Sequence, residues 1–198
     1  MKINNEIDFA SEGAMVYFAK AFASEVLRGV DCAHDIFHAQ RVYLNAIKIL
    51  QSGIKADREV VLTCALIHDI ADHKLFDNDN HLDEFFRYYP TDKENKIRAI
   101  ISEVSFSGGK KCTSIESEIV QDADRLDAIG AVGVARAFAY GGKHDRSLYG
   151  NGESTLDHFY DKLLKIKDLL NTETAVQIAT KRHEFLEQFI KQLYDEIQ

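Results

Sequence analysis

The chain has 198 residues and a formal net charge of −8, with 45% hydrophobic and 28% charged residues. That balance belongs to an ordinary globular protein rather than a disordered one, and to a chain able to bury its own core without staples. The acidic surplus argues against non-specific DNA or RNA binding, which needs a basic footprint, and leaves room for a small anionic substrate met by local cations or a metal.

Apolar residues recur at helical spacing almost throughout, and the one proline is Pro90. A first helix is expected over roughly 8–29, carrying Phe9, Met15, Phe18, Ala19, Phe22 and Leu27. His34-Asp35 opens a second, with Ile36, Ala39, Val42, Ala46, Ile47 and Leu50, closed by Gly53. Asp57 reads as the N-cap of a third, which bears Val60, Val61, Cys64, Ala65 and Ile67 and runs into His68-Asp69. After a polar stretch come Leu82 to Tyr89, stopped by Pro90, and a helix from about Asp92 to Val104. Ser105–Lys111 reads as a loop, and Ser114 starts a helix that carries Glu116 to Asp124. The small-residue run Ala128–Ala139, with Gly130 and Gly133, would let two helices approach closely. Gly141–Arg146 reads as a charged flexible loop, and Leu156–Leu170 and Thr174–Ile197 as two further helices. No segment shows period-two alternation with hairpin turns, so the fold is expected to be all-α. The Phe- and Leu-rich last helix should serve core packing or a homodimer contact.

No run of eighteen apolar residues suggests a membrane span. The N-terminus lacks a basic-then-apolar leader pattern, and Cys32, Cys64 and Cys112 offer neither a C-x-x-C pair nor a disulfide framework, so a cytoplasmic location is expected.

Three His-Asp dipeptides occur, at His34-Asp35, His68-Asp69 and His144-Asp145, so the dipeptide alone says little. His68-Asp69 differs because it ends a largely apolar helix, where two ionisable groups are costly unless something satisfies them. His38 lies on an amphipathic helix three residues before Arg41, and Asp122 interrupts an apolar run, followed by Asp124-Arg125-Leu126-Asp127. Two imidazoles and two carboxylates, His38, His68, Asp69 and Asp122, make a mixed nitrogen and oxygen set. Such a set suits a divalent ion: manganese (Mn2+), iron (Fe2+), zinc (Zn2+) or, with more difficulty, magnesium (Mg2+). No glycine-rich loop of the Gly-Lys-Ser/Thr type is present.

The order His38…His68-Asp69…Asp122 resembles that of the HD-domain metal-dependent phosphohydrolases. The segments around His34–Val42, Ala65–Lys74, Gln121–Gly130 and His158–Leu164 are similar to a bacterial subgroup of nucleotide pyrophosphohydrolases, and the resemblance covers roughly residue 20 to the C-terminus. It implies one compact helical HD domain over 1–198, with the metal-site core at about 30–130 and helices of about 154–198 packed on it. It also implies a manganese-dependent cleavage of (deoxy)nucleoside triphosphates to monophosphate and pyrophosphate. The additional helix-borne histidines of multi-metal members are missing, so a single metal is expected.

On this reading the metal lowers the pKa of a bound water and grips a phosphate oxygen. Asp72, three residues after Asp69, is the expected general base or water-orienting group, and Lys74 the expected phosphate partner, with Arg41, Arg125, Arg136 and Lys143 as further candidates. Other readings stay open. The same centre would serve a phosphomonoesterase or a cyclic-nucleotide phosphodiesterase, and a nucleotide-binding sensor could keep the fold without turnover. Asp122 could cap or pair with Arg125, and Asp124 and Asp127 flank Arg125 at a spacing that suits a local ion pair as well as a substrate role. His34 is expected to be structural. The Gly141–Arg146 loop could close over a ligand, and His158 and Lys162, four apart, could reach a substrate or form a surface pair.

Overall fold

Helix α3 (Arg58–Ile67) is buried all round, with every residue from Val60 to Ile67 shielded from solvent. A helix apolar on all faces must sit at the centre of its protein, and the other elements are arranged as its walls. Helices α1 (Ala14–Val26) and α2 (Ile36–Leu50) lie against it, and so do α5 (Glu94–Val104) and α6 (Ile115–Asp127). Between them, α4 (His81–Tyr88) sets Phe85 against Phe18 and Phe22 of α1, with ring centroids 5.4 and 5.6 Å apart. The remaining elements are α7 (Gly130–Lys143), α8 (Thr155–Asp161), a 3-10 helix (Leu163–Leu169) and α9 (Glu173–Ile197). This computed structural model describes residues 10–30, 34–71, 75–76, 80–104, 111–150 and 153–197, and no strand occurs among them. No described helix is long and apolar enough to cross a membrane.

The local chemistry that starts the helices follows the sequence. Asp35 caps α2 by accepting from the His38 amide at 2.8 Å, and Asp57 caps α3 by accepting from the Val60 amide at 3.2 Å. Ser114 and Ser117 form a reciprocal capping box at the start of α6. The inner face of α9, with Ala175, Ala179, Leu186 and Ile190, is core, and Phe189 packs against Phe138 and Phe159.

Two expectations are corrected. Gly141 and Gly142 do not begin a loop: α7 continues through them to Lys143. Gly141 is buried where a Cβ would lie 2.1 Å from Thr155 Oγ1, so the glycine is there for the approach of α8 rather than for a turn. The stretch 156–170 is not one helix. α8 ends at Asp161, Lys162 leaves helical geometry (φ −132°, ψ −58°), and a 3-10 helix follows. In the small-residue run, Gly130 (φ 80°) turns the chain from α6 into α7 and gives way to the Arg182 side chain of α9.

Replacing Gly141 by Ala should cost about 1–3 kcal/mol by overpacking. Adding Thr155→Ala should recover most of that loss, because the Thr155 hydroxyl is buried without a hydrogen-bond partner among the described residues. Urea unfolding of the two single variants and the double variant checks this, and strictly additive losses would place the cause elsewhere.

Candidate metal centre

Three helices meet at one buried cluster. His38 sits in the first turn of α2, fixed by the Asp35 cap. His68 ends α3, where the chain tightens into a 3-10 turn over His68–Ala71 that carries Asp69. α6 faces them with Asp124 and Asp127, three residues apart and therefore on one side of that helix.

The distances are short. His38 Nε2 and His68 Nε2 are 3.3 Å apart. Asp69 places Oδ2 at 3.4 Å from His38 Nε2 and Oδ1 at 3.3 Å from His68 Nε2. Asp124 Oδ1 lies 3.4 Å from His38 Nε2 and 3.8 Å from His68 Nε2. Ligand atoms of His38, His68 and Asp124 all fall within 4.8 Å of one another. The outer nitrogens are committed elsewhere: His38 Nδ1 donates to Asp127 Oδ2 at 2.8 Å, and His68 Nδ1 to the Ala65 carbonyl at 3.1 Å. Both Nε2 atoms then face the cluster. Two nitrogens each about 2.1 Å from one ion would stand about 3–3.4 Å apart, so the spacing fits donors sharing a cation. Asp69 Oδ2 is buried and has no hydrogen bond among the described residues, a second sign that the cluster is built for a positive centre.

The electrostatics agree. Burial would depress the His38 imidazole, yet Asp127, Asp69 and Asp124 outweigh it and push its pKa up to about 9. Burial would raise the Asp69 carboxyl, but the neighbouring His68 and His38 hold it well below the usual carboxylate range. Asp127 is depressed likewise: burial is overcome by His38, Arg41 and Arg136. Arg41 binds Asp127 in a fork, Nε to Oδ1 at 2.7 Å and Nη2 to Oδ2 at 3.0 Å, and Arg136 Nη1 reaches Oδ2 at 2.6 Å. Asp127 thus joins two arginines to the back of the His38 ring. His34 stands edge-on to that ring, with centroids 6.1 Å apart.

Asp122 is not part of this cluster. Two residues from Asp124, it projects about 200° round the helix, onto the opposite side. It is fully buried there and accepts from the Asn171 amide and Nδ2, both at 2.9 Å, and from the Thr172 amide and Oγ1 at 2.7 and 2.8 Å. Burial pushes its carboxyl above the ordinary carboxylate value despite those donors. The residue expected as a ligand instead secures the start of α9. Asp124, for which the sequence left a local ion pair with Arg125 or a substrate role open, is the carboxylate that meets the histidines. Helical spacing sets Asp124 and Asp127 on one face and Asp122 on another, but it does not say which face meets the histidines.

The expected substrate cations are dispersed. Arg41 and Arg136 stand at Asp127, Arg125 donates to the Leu169 carbonyl, and Lys143 is exposed at the end of α7. Asp72 and Lys74 lie outside the described residues.

Fold and cluster together define a helical protein built round a candidate divalent-metal site. The comparisons give the family: the HD domain model matches residues 35–129, a span that contains the whole cluster, and the chain belongs to the HD-domain family. YpgQ of Bacillus subtilis (strain 168) is 40% identical over 188 residues, which cover 90% of this chain and 91% of that one. A crystal structure of B. subtilis YpgQ in complex with ADP superposes with a TM-score of 0.80 at 37% identity, covering 92% of this chain and 94% of that one. A crystal structure of an HD-superfamily hydrolase from Bacillus thuringiensis matches with a TM-score of 0.75 at 35% identity, over 91% of this chain and 95% of that one.

The two aspartates should separate by stability. In metal-free protein, Asp122→Ala strands several buried donors and should cost on the order of 3 kcal/mol. Asp124→Ala removes one of several clustered carboxylates and should cost less than about 1 kcal/mol. Denaturant midpoints measured in chelator decide, and equal losses would contradict the division of labour.

Proposed function

We propose that the protein is a metal-dependent phosphohydrolase that cleaves (deoxy)nucleoside triphosphates to monophosphate and pyrophosphate, with one divalent ion, manganese first, held by His38, His68, Asp69 and Asp124. Asp124 replaces Asp122 in the ligand set expected from the sequence. The observation that carries the reading is the convergence of both Nε2 atoms with Asp69 and Asp124, while both Nδ1 atoms are engaged behind them. The HD-superfamily hydrolase of similar structure supports hydrolysis, and the ADP complex of YpgQ supports a nucleotide ligand.

A divalent ion bound there supplies Lewis-acid chemistry, drawing charge from a phosphoryl oxygen and making water more acidic. The chain does the rest. Asp127 holds His38 in the tautomer that presents Nε2, and it is itself held by Arg41 and Arg136. Asp124, with its side chain 26% exposed, forms the open side of the cluster, where a phosphate group can enter. Asp72 is proposed to take the proton from the attacking water, and Lys74 and Lys143 to offset phosphate charge. We also read 1–198 as one HD domain. That view draws support from the grip of Asn171, Thr172 and Arg182 on α6, where Arg182 binds the Leu126 carbonyl and Asn45 Oδ1.

The test is product analysis on metal-stripped protein given manganese and a panel of nucleoside triphosphates, monophosphates and cyclic nucleotides. Monophosphate plus pyrophosphate is expected. Inorganic phosphate from monophosphates, or opening of cyclic substrates, would replace this reading by the phosphomonoesterase or phosphodiesterase one. Bound metal without any product would favour a sensor. Asp127→Ala should weaken manganese binding about 10–100-fold, and Asp124→Ala should weaken it further and abolish turnover.

Manganese affinity should also depend on pH. A proton on His38 must leave before the ring can ligate. With that proton held up to about pH 9, affinity should rise about tenfold per unit from pH 6 to 8. A flat profile in calorimetric titrations would show that proton and cation do not compete there.

A further inference from the structure

The last turn of α6 carries Asp124 and Asp127, and the last carbonyls of a helix need acceptor partners from outside it. Arginines from two other helices supply donors there. Arg136 Nη1 of α7 donates to the Asp127 carbonyl at 3.3 Å, and Arg182 Nη1 of α9 donates to the Leu126 carbonyl. The other arm of the Arg182 fork, Nη2, donates to Asn45 Oδ1 at 2.9 Å. Asn45 is buried on α2, and its Nδ2 donates to the Ala123 carbonyl at 3.0 Å. One guanidinium and one amide thus close a ring of hydrogen bonds that joins α2, α6 and α9. Asp124 lies between the two α6 carbonyls that the ring holds.

The ring stands beside the metal cluster. Asn45 follows His38 by seven residues, two turns of α2, and so lies on the same side of that helix. Helix α2 therefore meets α6 at two levels, through His38 and Asp127 at 2.8 Å and through Asn45 and Ala123. The stem of Arg182 lies against Gly130 (φ 80°), where a Cβ would come to 3.0 Å from its Cγ. Arg182 is half-buried, and its bonds go to neutral acceptors. Among the described residues it makes no ion pair. Burial lowers the pKa of the guanidinium, and the field of Asp127 opposes that fall without cancelling it. An apolar side chain would cover the same core without the cost of desolvating a charge. What the planar fork adds is two acceptors, on two different helices, held at a fixed spacing.

We propose that Arg182 is a positioning residue of the metal centre. Acting through Asn45 and the Leu126 carbonyl, it sets the register of the last turn of α6 against α2, and with it the approach of Asp124 and Asp127 to the two histidines. The proposal rests on the reading of the cluster as a metal site and needs no particular substrate. It makes the centre depend on a side chain of α9 that touches none of the ligands.

The experiment is calorimetric titration of the full-length, metal-stripped protein with manganese, well below the thermal midpoint of each variant, with that midpoint measured alongside. Wild type is compared with Arg182→Met, Arg182→Lys and Ile190→Val, the last a change in the buried face of α9 away from the ring. Arg182→Met should weaken manganese binding at least about tenfold. Arg182→Lys keeps the charge but not the fork, so it should recover part of the loss and stay at least about threefold weaker than wild type. Ile190→Val should lower the midpoint and leave manganese affinity within about twofold of wild type. An Arg182→Met protein that binds manganese as tightly as wild type would overturn the proposal. So would an Arg182→Lys protein equal to wild type, since charge alone would then suffice, or an Ile190→Val protein as weak as Arg182→Met, since any loosening of α9 would then act alike. If Arg182→Met does not fold, the Lys variant decides. Failure of the metal reading itself looks different: the wild type would then bind no manganese.

Discussion

Several carboxylates and two imidazoles share a nearly dry space between α2, α3 and α6, and so much negative charge can be buried only against positive charge. Asp127 shows how the chain meets that constraint from behind. Its carboxylate is bound by Arg41 and Arg136 and accepts from His38, so that it is charge-compensated before it orients the ring. The front of the cluster has no such supply among the described residues. Asp69 and Asp124 face two imidazole nitrogens, and the compensation available there is a proton on His38 or a cation in its place. The binding preference of the centre follows from this asymmetry between a neutralised back and an uncompensated front.

The same constraint explains why the C-terminal part of the chain matters to a cluster whose members all lie within residues 35–129. The aspartates of α6 are useful only at one rotation and one height of that helix. Asp122 fixes the rotation by holding the Asn171–Thr172 segment at the start of α9. Arg182 holds the far end by binding the Leu126 carbonyl, and through Asn45 it ties α9 to α2, while Asn45 also binds the Ala123 carbonyl. Helix α9 is therefore a brace for the centre as well as a cover for the core.

Helix α7 connects the centre to the outer surface. Arg136 at one end touches Asp127, and the Tyr140–His144–Arg146 turn at the other end lies against α8. Gly141 makes this junction by letting Thr155 approach closer than any side chain would allow. A residue that looks like punctuation in the sequence is a packing element in the fold.

Much was legible in the sequence because it depends on local physics. The caps at Asp35, Asp57 and Ser114 follow from side-chain oxygens placed before apolar runs. The all-round apolar character of α3 announces a central helix. The placement of His38, His68 and Asp69 follows from polar groups interrupting buried faces. What the sequence could not decide was which acid of Asp122, Asp124 and Asp127 served which purpose. All three lie on one helix with nearly the same local surroundings, and their roles depend on what stands opposite each face: the histidines of α2 and α3 for Asp124 and Asp127, the start of α9 for Asp122. The helical state of Gly141 and the break at Lys162 were hidden for the same reason. Composition and periodicity determined the helices and the chemical character of the centre, whereas the rotation of each helix against distant neighbours, fixed by packing and burial, decided which side chains meet there.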